Sequence, residues 1–141
     1  MGADTMARIK KQKIKQGSLV KSIEPTNYDQ RPPVFSLEKL QPGKYCLSEL
    51  DQENKAMFAD AIFRRRHLTW NDIKRTDRHG LGTEKIAKTS INAPTPRFIT
   101  DDMDSYLAFR YHGKRPMVGY RQRDVFYVLW FDSDFTLYNH Q

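Results

Sequence analysis

The stretch from Ser105 to His140 constrains this chain most. Four short runs, Ser105–Tyr111, Met117–Arg121, Val125–Phe131 and Phe135–His140, are rich in aromatic and β-branched residues. Gly113 and Pro116, then Arg123-Asp124, then Asp132-Ser-Asp134 lie between them and supply turn chemistry. This pattern predicts an antiparallel meander.

Side chains alternate faces along a strand. With Tyr111 paired to Pro116 and a tight turn at Arg123-Asp124, one face carries Leu107, Phe109, Tyr111, Val118, Tyr120, Val125, Tyr127, Leu129 and Phe131. That apolar face is expected to receive helices. The other carries Ala108, Arg110, Met117, Gly119, Arg121, Phe126, Val128 and Trp130. Two guanidiniums beside the small Gly119 and Ala108 suggest a shallow floor for an anionic group. The same pair also reads as edge arginines lying over tyrosines and facing water.

The helices lie upstream. Ser48-Glu-Leu-Asp51 reads as a capping box. Leu50, Met57, Phe58, Ala61 and Ile62 then recur at helical spacing. Arg64-Arg-Arg-His67 ends that helix, where the dipole favours cations and where a phosphate-contacting patch would also fit. Thr69-Trp-Asn-Asp72 opens a second short helix, with Gly80 as its C-cap. His79 to Ile86 is expected as a loop, a suitable place for acid–base groups or a plain connection. Val34-Phe-Ser-Leu reads as a short first strand. The fold class is therefore α+β.

A chain of 141 residues suggests one domain plus a tail. Residues 1–31 form that tail, basic through Arg8, Lys10, Lys11, Lys13, Lys15, Lys21 and Arg31, poor in large apolar groups and expected to be disordered. Residues 32–141 form the domain. The net charge of +7 points to an acidic partner, nucleic acid among them. No apolar run approaches the roughly 18 residues needed to cross a bilayer, and no membrane partner is expected. The N-terminus lacks a hydrophobic signal core. Cys46 is the lone cysteine, so no internal disulfide forms and a cytoplasmic location is expected. His67, His79, His112 and His140 are scattered without metal-ligand spacing, and no metal or other cofactor is expected.

Gly80-Leu-Gly82 followed by Glu84, Phe109-Arg110-Tyr111, Arg115 to Tyr120, and Tyr138-Asn-His140 follow one another in an order that resembles the RelE/YoeB family of toxin ribonucleases from toxin–antitoxin systems. The resemblance covers roughly residues 48–141. It implies N-terminal helices packed on one face of a C-terminal antiparallel sheet. It also implies a metal-independent endoribonuclease that uses the RNA 2′-hydroxyl as nucleophile. Glu84 would then be the general base, with His79 as a substitute. Arg110, Arg115 and Arg121 would brace the phosphate. His140 or Tyr138 would be the general acid. RNA, the ribosome included, would lie on Lys10, Lys11, Lys13, Arg64, Arg65 and Arg66, and a small acidic antitoxin protein would be a second partner.

Two other functions fit the same scaffold, a non-catalytic nucleic-acid-binding protein and a ParE-like toxin that inhibits an enzyme by binding it. Convergence of Glu84, Arg110, Arg121 and His140 on one point favours catalysis. Glu84 and His140 on opposite sides favour binding.

Overall fold

The structure is a computed structural model that describes residues 25–140. The basic arm with Lys10, Lys11 and Lys13 lies outside the described residues. The elements are β1 (Val34–Ser36), α1 (Gln52–Arg64), α2 (Trp70–Lys74), β2 (Thr83–Ala87), β3 (Ser105–His112), β4 (Arg115–Gln122) and β5 (Val125–Phe131). The strands form one sheet in the order β1-β5-β4-β3-β2. β1 runs parallel to β5, and every other pair is antiparallel. The chain is α+β with a mixed sheet. The expected order of helices first and a purely antiparallel sheet afterwards is corrected here, since β1 precedes both helices. β2 occupies part of the expected loop, and residues 135–140 form no strand.

Asp51, not Ser48, caps α1. Its carboxylate accepts the backbone N–H of Asn54 at 2.8 Å while Leu47–Glu49 closes a separate 3₁₀ turn. Thr69 and Asp72 make the reciprocal bonds of a capping box, as the sequence suggested. α2 stops at Lys74, so Gly80 is not its cap. Gly82 is the constrained glycine of the following turn, where a Cβ would fall 2.0 Å from the Thr76 carbonyl oxygen.

The sheet register differs from expectation by one residue. Phe109 pairs with Met117, and Arg110 with Pro116. The β3–β4 turn is the tight Gly113-Lys114, with Gly113 at φ 59°. Tyr111 is the extra residue of a bulge between Arg110 and His112. A one-residue slip turns every side chain of the next strand over. Met117, Phe126 and Val128 therefore pack with the helices, and Val118, Tyr120 and Leu129 pack on the opposite face. A second bulge leaves Leu129 unpaired, as Gly119 pairs with Val128 and Val118 with Trp130. It restores the expected faces of Trp130 and Phe131. Gly119 leaves no room for a ligand, because a Cβ there would meet the Tyr127 carbonyl oxygen at 1.9 Å.

Two cores result. Under the helices, Phe109 is fully buried, with the rings of Phe35, Phe126 and Trp70 at 5.3, 4.9 and 5.9 Å. The opposite face carries Tyr106, Ala108, Val118, Leu129 and Trp130, covered by Ile91, Ile99, Met103, Leu137 and Tyr138 from the connections. Coverage by connections rather than helices leaves that face open at one end.

Tyr111 gives a test of the first core. Its hydroxyl is buried without a hydrogen-bond partner. Burial pushes its pKa well above the ordinary tyrosine range. The folded state therefore holds this proton more tightly than the unfolded chain. That stabilisation is complete below about pH 10 and is lost as pH rises further. Tyr111→Phe removes an unpaired polar group. Urea unfolding is expected to show the variant at least as stable as the parent at pH 7, with its advantage growing above about pH 10. A loss above about 1 kcal/mol at pH 7 would mean that the hydroxyl has a partner.

Candidate active site

The open end of the second face is a cleft of about 210 Å³, lined by Arg78, Glu84, Ala108, Arg110, Lys114, Pro116, Phe135, Tyr138, Asn139 and His140. This is below the roughly 300 Å³ usual for small-molecule sites and suits a single phosphate-sized group. Strand pairing builds it. Glu84 on β2 stands opposite Ala108, and Arg110 opposite Pro116. Opposed residues share a face, so small Ala108 and Pro116 make a floor between the carboxylate and the guanidinium.

Two polar pairs hold the wall. Arg78 Nη1 donates to Glu84 Oε2 at 2.9 Å. Arg110 Nη1 lies 2.8 Å from His79 Nδ1. A guanidinium only donates, so His79 Nδ1 accepts this bond and its proton sits on Nε2.

The third wall is the turn after β5. Asp132 is fully buried. It accepts the backbone N–H groups of Thr136 and Leu137 at 2.9 and 3.1 Å, and its Oδ2 lies 2.8 Å from His140 Nε2. The buried carboxylate fixes the ring with Nε2–H pointing inward. The Tyr138 ring stacks on His140 at 3.9 Å, and Phe135, at φ 62°, meets its edge at 5.1 Å. Burial, then the negative charges of Glu84 and Asp132, push the Tyr138 phenol well above its ordinary range. It therefore keeps its proton at neutral pH, so its hydroxyl can donate a hydrogen bond.

Of the residues singled out in the sequence, Glu84, Arg110, Tyr138 and His140 line this cleft, and His79 bonds to Arg110 at its edge. Arg115 and Arg121 do not line it. Arg115 Nε donates to the Ser133 carbonyl at 2.9 Å and its guanidinium lies 5.8 Å from the Phe135 ring. It buttresses the turn. Arg121 is on the helix face, 4.3 Å over the Trp70 ring and bonded to Asp29. The expectation that it shares a floor with Arg110 is corrected by the register.

Arg65 is also not a surface cation. It is 1 % exposed and donates to the carbonyls of Leu81, Ala61 and Arg110 at 3.0, 2.9 and 3.2 Å. Arg64 and Arg66 remain exposed. Asp29, placed by the sequence in the tail, accepts from both Arg121 and Lys74. The sequence reading missed Arg78, Lys114, Phe135 and Asp132. The signal for Asp132 was an acid ending an apolar strand, with backbone donors to follow in Ser-Asp-Phe-Thr.

Among the described residues no three His, Cys, Asp or Glu side chains are grouped to hold a metal ion, and no helix is long and apolar enough to cross a membrane. Comparison with known protein families, curated proteins and solved structures finds no match.

The two arginines give the sharpest contrast. In a titration with inorganic phosphate followed by NMR, Arg110→Met is expected to weaken binding about tenfold or more, the scale of one charge-assisted contact. Arg121→Met is expected to leave phosphate binding unchanged and to lower stability by about 1–3 kcal/mol through loss of the bond to Asp29. Equal loss of phosphate binding in both variants would place the anion elsewhere.

Proposed function

We propose that the chain is a RelE/YoeB-like endoribonuclease that cleaves RNA through its own 2′-hydroxyl, with no step that requires a metal. The observation that carries this reading is the convergence, on one phosphate-sized cleft, of a carboxylate, a carboxylate-backed imidazole and several cations. Glu84 takes the 2′-hydroxyl proton as the oxygen attacks the adjacent phosphorus. Arg110, Arg78 and Lys114 offset the charge that builds on the phosphoryl oxygens, and the protonated Tyr138 donates to one of them. His140 serves as the general acid. Its Nε2–H stays on Asp132 while Nδ1–H passes to the departing 5′-oxygen. The products are a 2′,3′-cyclic phosphate and a free 5′-hydroxyl, so protons and electrons balance with no further reactant.

The exposed Arg64 and Arg66 extend the cationic surface for the RNA strand, and binding then weakens as salt rises. The same basic surface suits a small acidic antitoxin protein as partner. Helices on one face and a cleft on the other fit a RelE-like layout.

The experiment is cleavage of a defined RNA by the purified full chain. His140→Ala and Glu84→Gln are each expected to lower the rate about 10²–10⁴-fold, and Arg110→Met about 10²–10³-fold. Circular dichroism should be unchanged, and EDTA should have no effect. RNA bound but not cut by the parent would favour the non-catalytic binding protein. Cleavage abolished by EDTA would end the metal-free mechanism.

A further inference from the structure

A second opening lies on the other side of the 132–140 turn. It measures about 360 Å³ and is lined by Gln41, Pro42, Lys44, Tyr45, Asn92, Ala93, Pro94 and Trp130. The segment that carries Tyr45 runs along the free edge of β5. Gln41 N–H donates to the Leu129 carbonyl at 3.0 Å, and Phe131 N–H to the Tyr45 carbonyl at 2.8 Å. The bulge at Leu129 brings Trp130 to the floor of the slot. Pro42, from the Tyr45 segment, and Pro94, from the 92–94 connection, both line the slot.

The residues that line the slot are bonded to the turn that walls the cleft. The Tyr45 hydroxyl bonds to Thr136 Oγ1 at 3.0 Å, Asn92 Nδ2 donates to the Thr136 carbonyl at 3.1 Å, and Lys44 Nζ pairs with Asp134 at 3.3 Å. On its far side the same turn presents Phe135, Tyr138 and His140 to the cleft. Lys44 Nζ also stands 5.5 Å from the centre of the Tyr45 ring. Its side chain is 58 % exposed, so it can turn from Asp134 toward a stronger anion.

We propose that this slot is a nucleotide subsite, in which a base stacks on Tyr45 above Trp130 and its phosphate pairs with Lys44. The proposal rests on the ribonuclease reading of the adjacent cleft, since the occupant is the next nucleotide of the strand being cut. The chemistry of the lining selects this ligand. Proline and aromatic surfaces accept a flat ring. The Gln41 and Asn92 amides suit the polar edge of a base. The ammonium suits a phosphate. The volume lies within the usual range for a small ligand, about 300–1,000 Å³.

The test is an NMR titration of the full chain with adenosine 5′-monophosphate, read at the two tryptophan indole signals. Trp130 is expected to shift. Trp70, on the helix face, is expected to stay still. Inorganic phosphate alone should leave Trp130 unmoved. Tyr45→Ala should weaken binding about tenfold, the scale of one base–aromatic stack. Tyr45→Phe keeps the ring, loses only the bond to Thr136, and should bind like the parent. Lys44→Glu, at an exposed rim, should weaken the monophosphate but not adenosine. On a long RNA, Tyr45→Ala should raise KM about tenfold with kcat little changed. An unmoved Trp130 signal, or parent-like binding in Tyr45→Ala, would overturn the subsite. Nucleotide binding that follows these variants without RNA cleavage would keep the subsite and overturn the ribonuclease reading.

Discussion

The buried guanidinium of Arg65 is the contact on which the site depends. It closes the C-terminal end of α1 through the Ala61 carbonyl, holds the Gly80–Gly82 turn through Leu81, and reaches β3 through the carbonyl of Arg110 itself. The Phe109 ring lies 4.9 Å from it. One side chain thus fixes the segment that carries Arg78, His79 and Glu84 against the strand that carries Arg110. Burial lowers its pKa to about 10, far enough above neutral that it keeps its charge. The cation forms no ion pair among the described residues. Three oriented carbonyls and an aromatic face take the place of a carboxylate, and all three carbonyls would lose their donor without it. Lysine, a point charge on a flexible stem, lacks the planar fork that reaches three acceptors at once.

The sheet then separates support from chemistry. Its helix face is a dense aromatic core, closed by Trp70 and by Arg121 bonded to Asp29. Its other face is covered only by connections, which leave a cleft beside Arg110 and Pro116. The turn after β5 supplies what the strands lack. Asp132 gathers two backbone N–H groups and one imidazole, so a single buried carboxylate both shapes the turn and aims His140. Side chains on rigid strands face side chains on a carboxylate-pinned turn across a space the size of one phosphate.

Much of this was legible in the sequence. Three of the four meander runs, the β4–β5 turn, the Thr69 capping box and the short strand at Val34 follow from local chemistry that the fold leaves unchallenged. Glu84, Arg110, Tyr138 and His140 were singled out, and they line one cleft. The face assignment failed one residue before the β3–β4 turn. The turn keeps the expected register, with His112 opposite Arg115, but the bulge at Tyr111 slips the pairing by one residue, which is enough to turn a strand over. That slip is why Arg121 looked like a companion of Arg110, and why Gly119 looked like room for a ligand. Arg65 looked like its neighbours because a triple arginine run gives no sign of which member turns inward. Asp132 and β2 were missed because each is defined by its partner. A turn aspartate looks like any other until the imidazole eight residues on is seen to return to it.

The account stands most directly on the chemistry of the cut ends. RNA cleaved by the purified full chain should be examined by mass spectrometry. The proposed attack by the 2′-hydroxyl, with Glu84 and His140 moving the protons, would leave a 2′,3′-cyclic phosphate on one fragment and a 5′-hydroxyl on the next, and a single 2′-deoxy substitution at the cut position should block cleavage there. Fragments ending in 3′-hydroxyl and 5′-phosphate, or undiminished cutting at the deoxy position, would show that water is the nucleophile and would contradict the account.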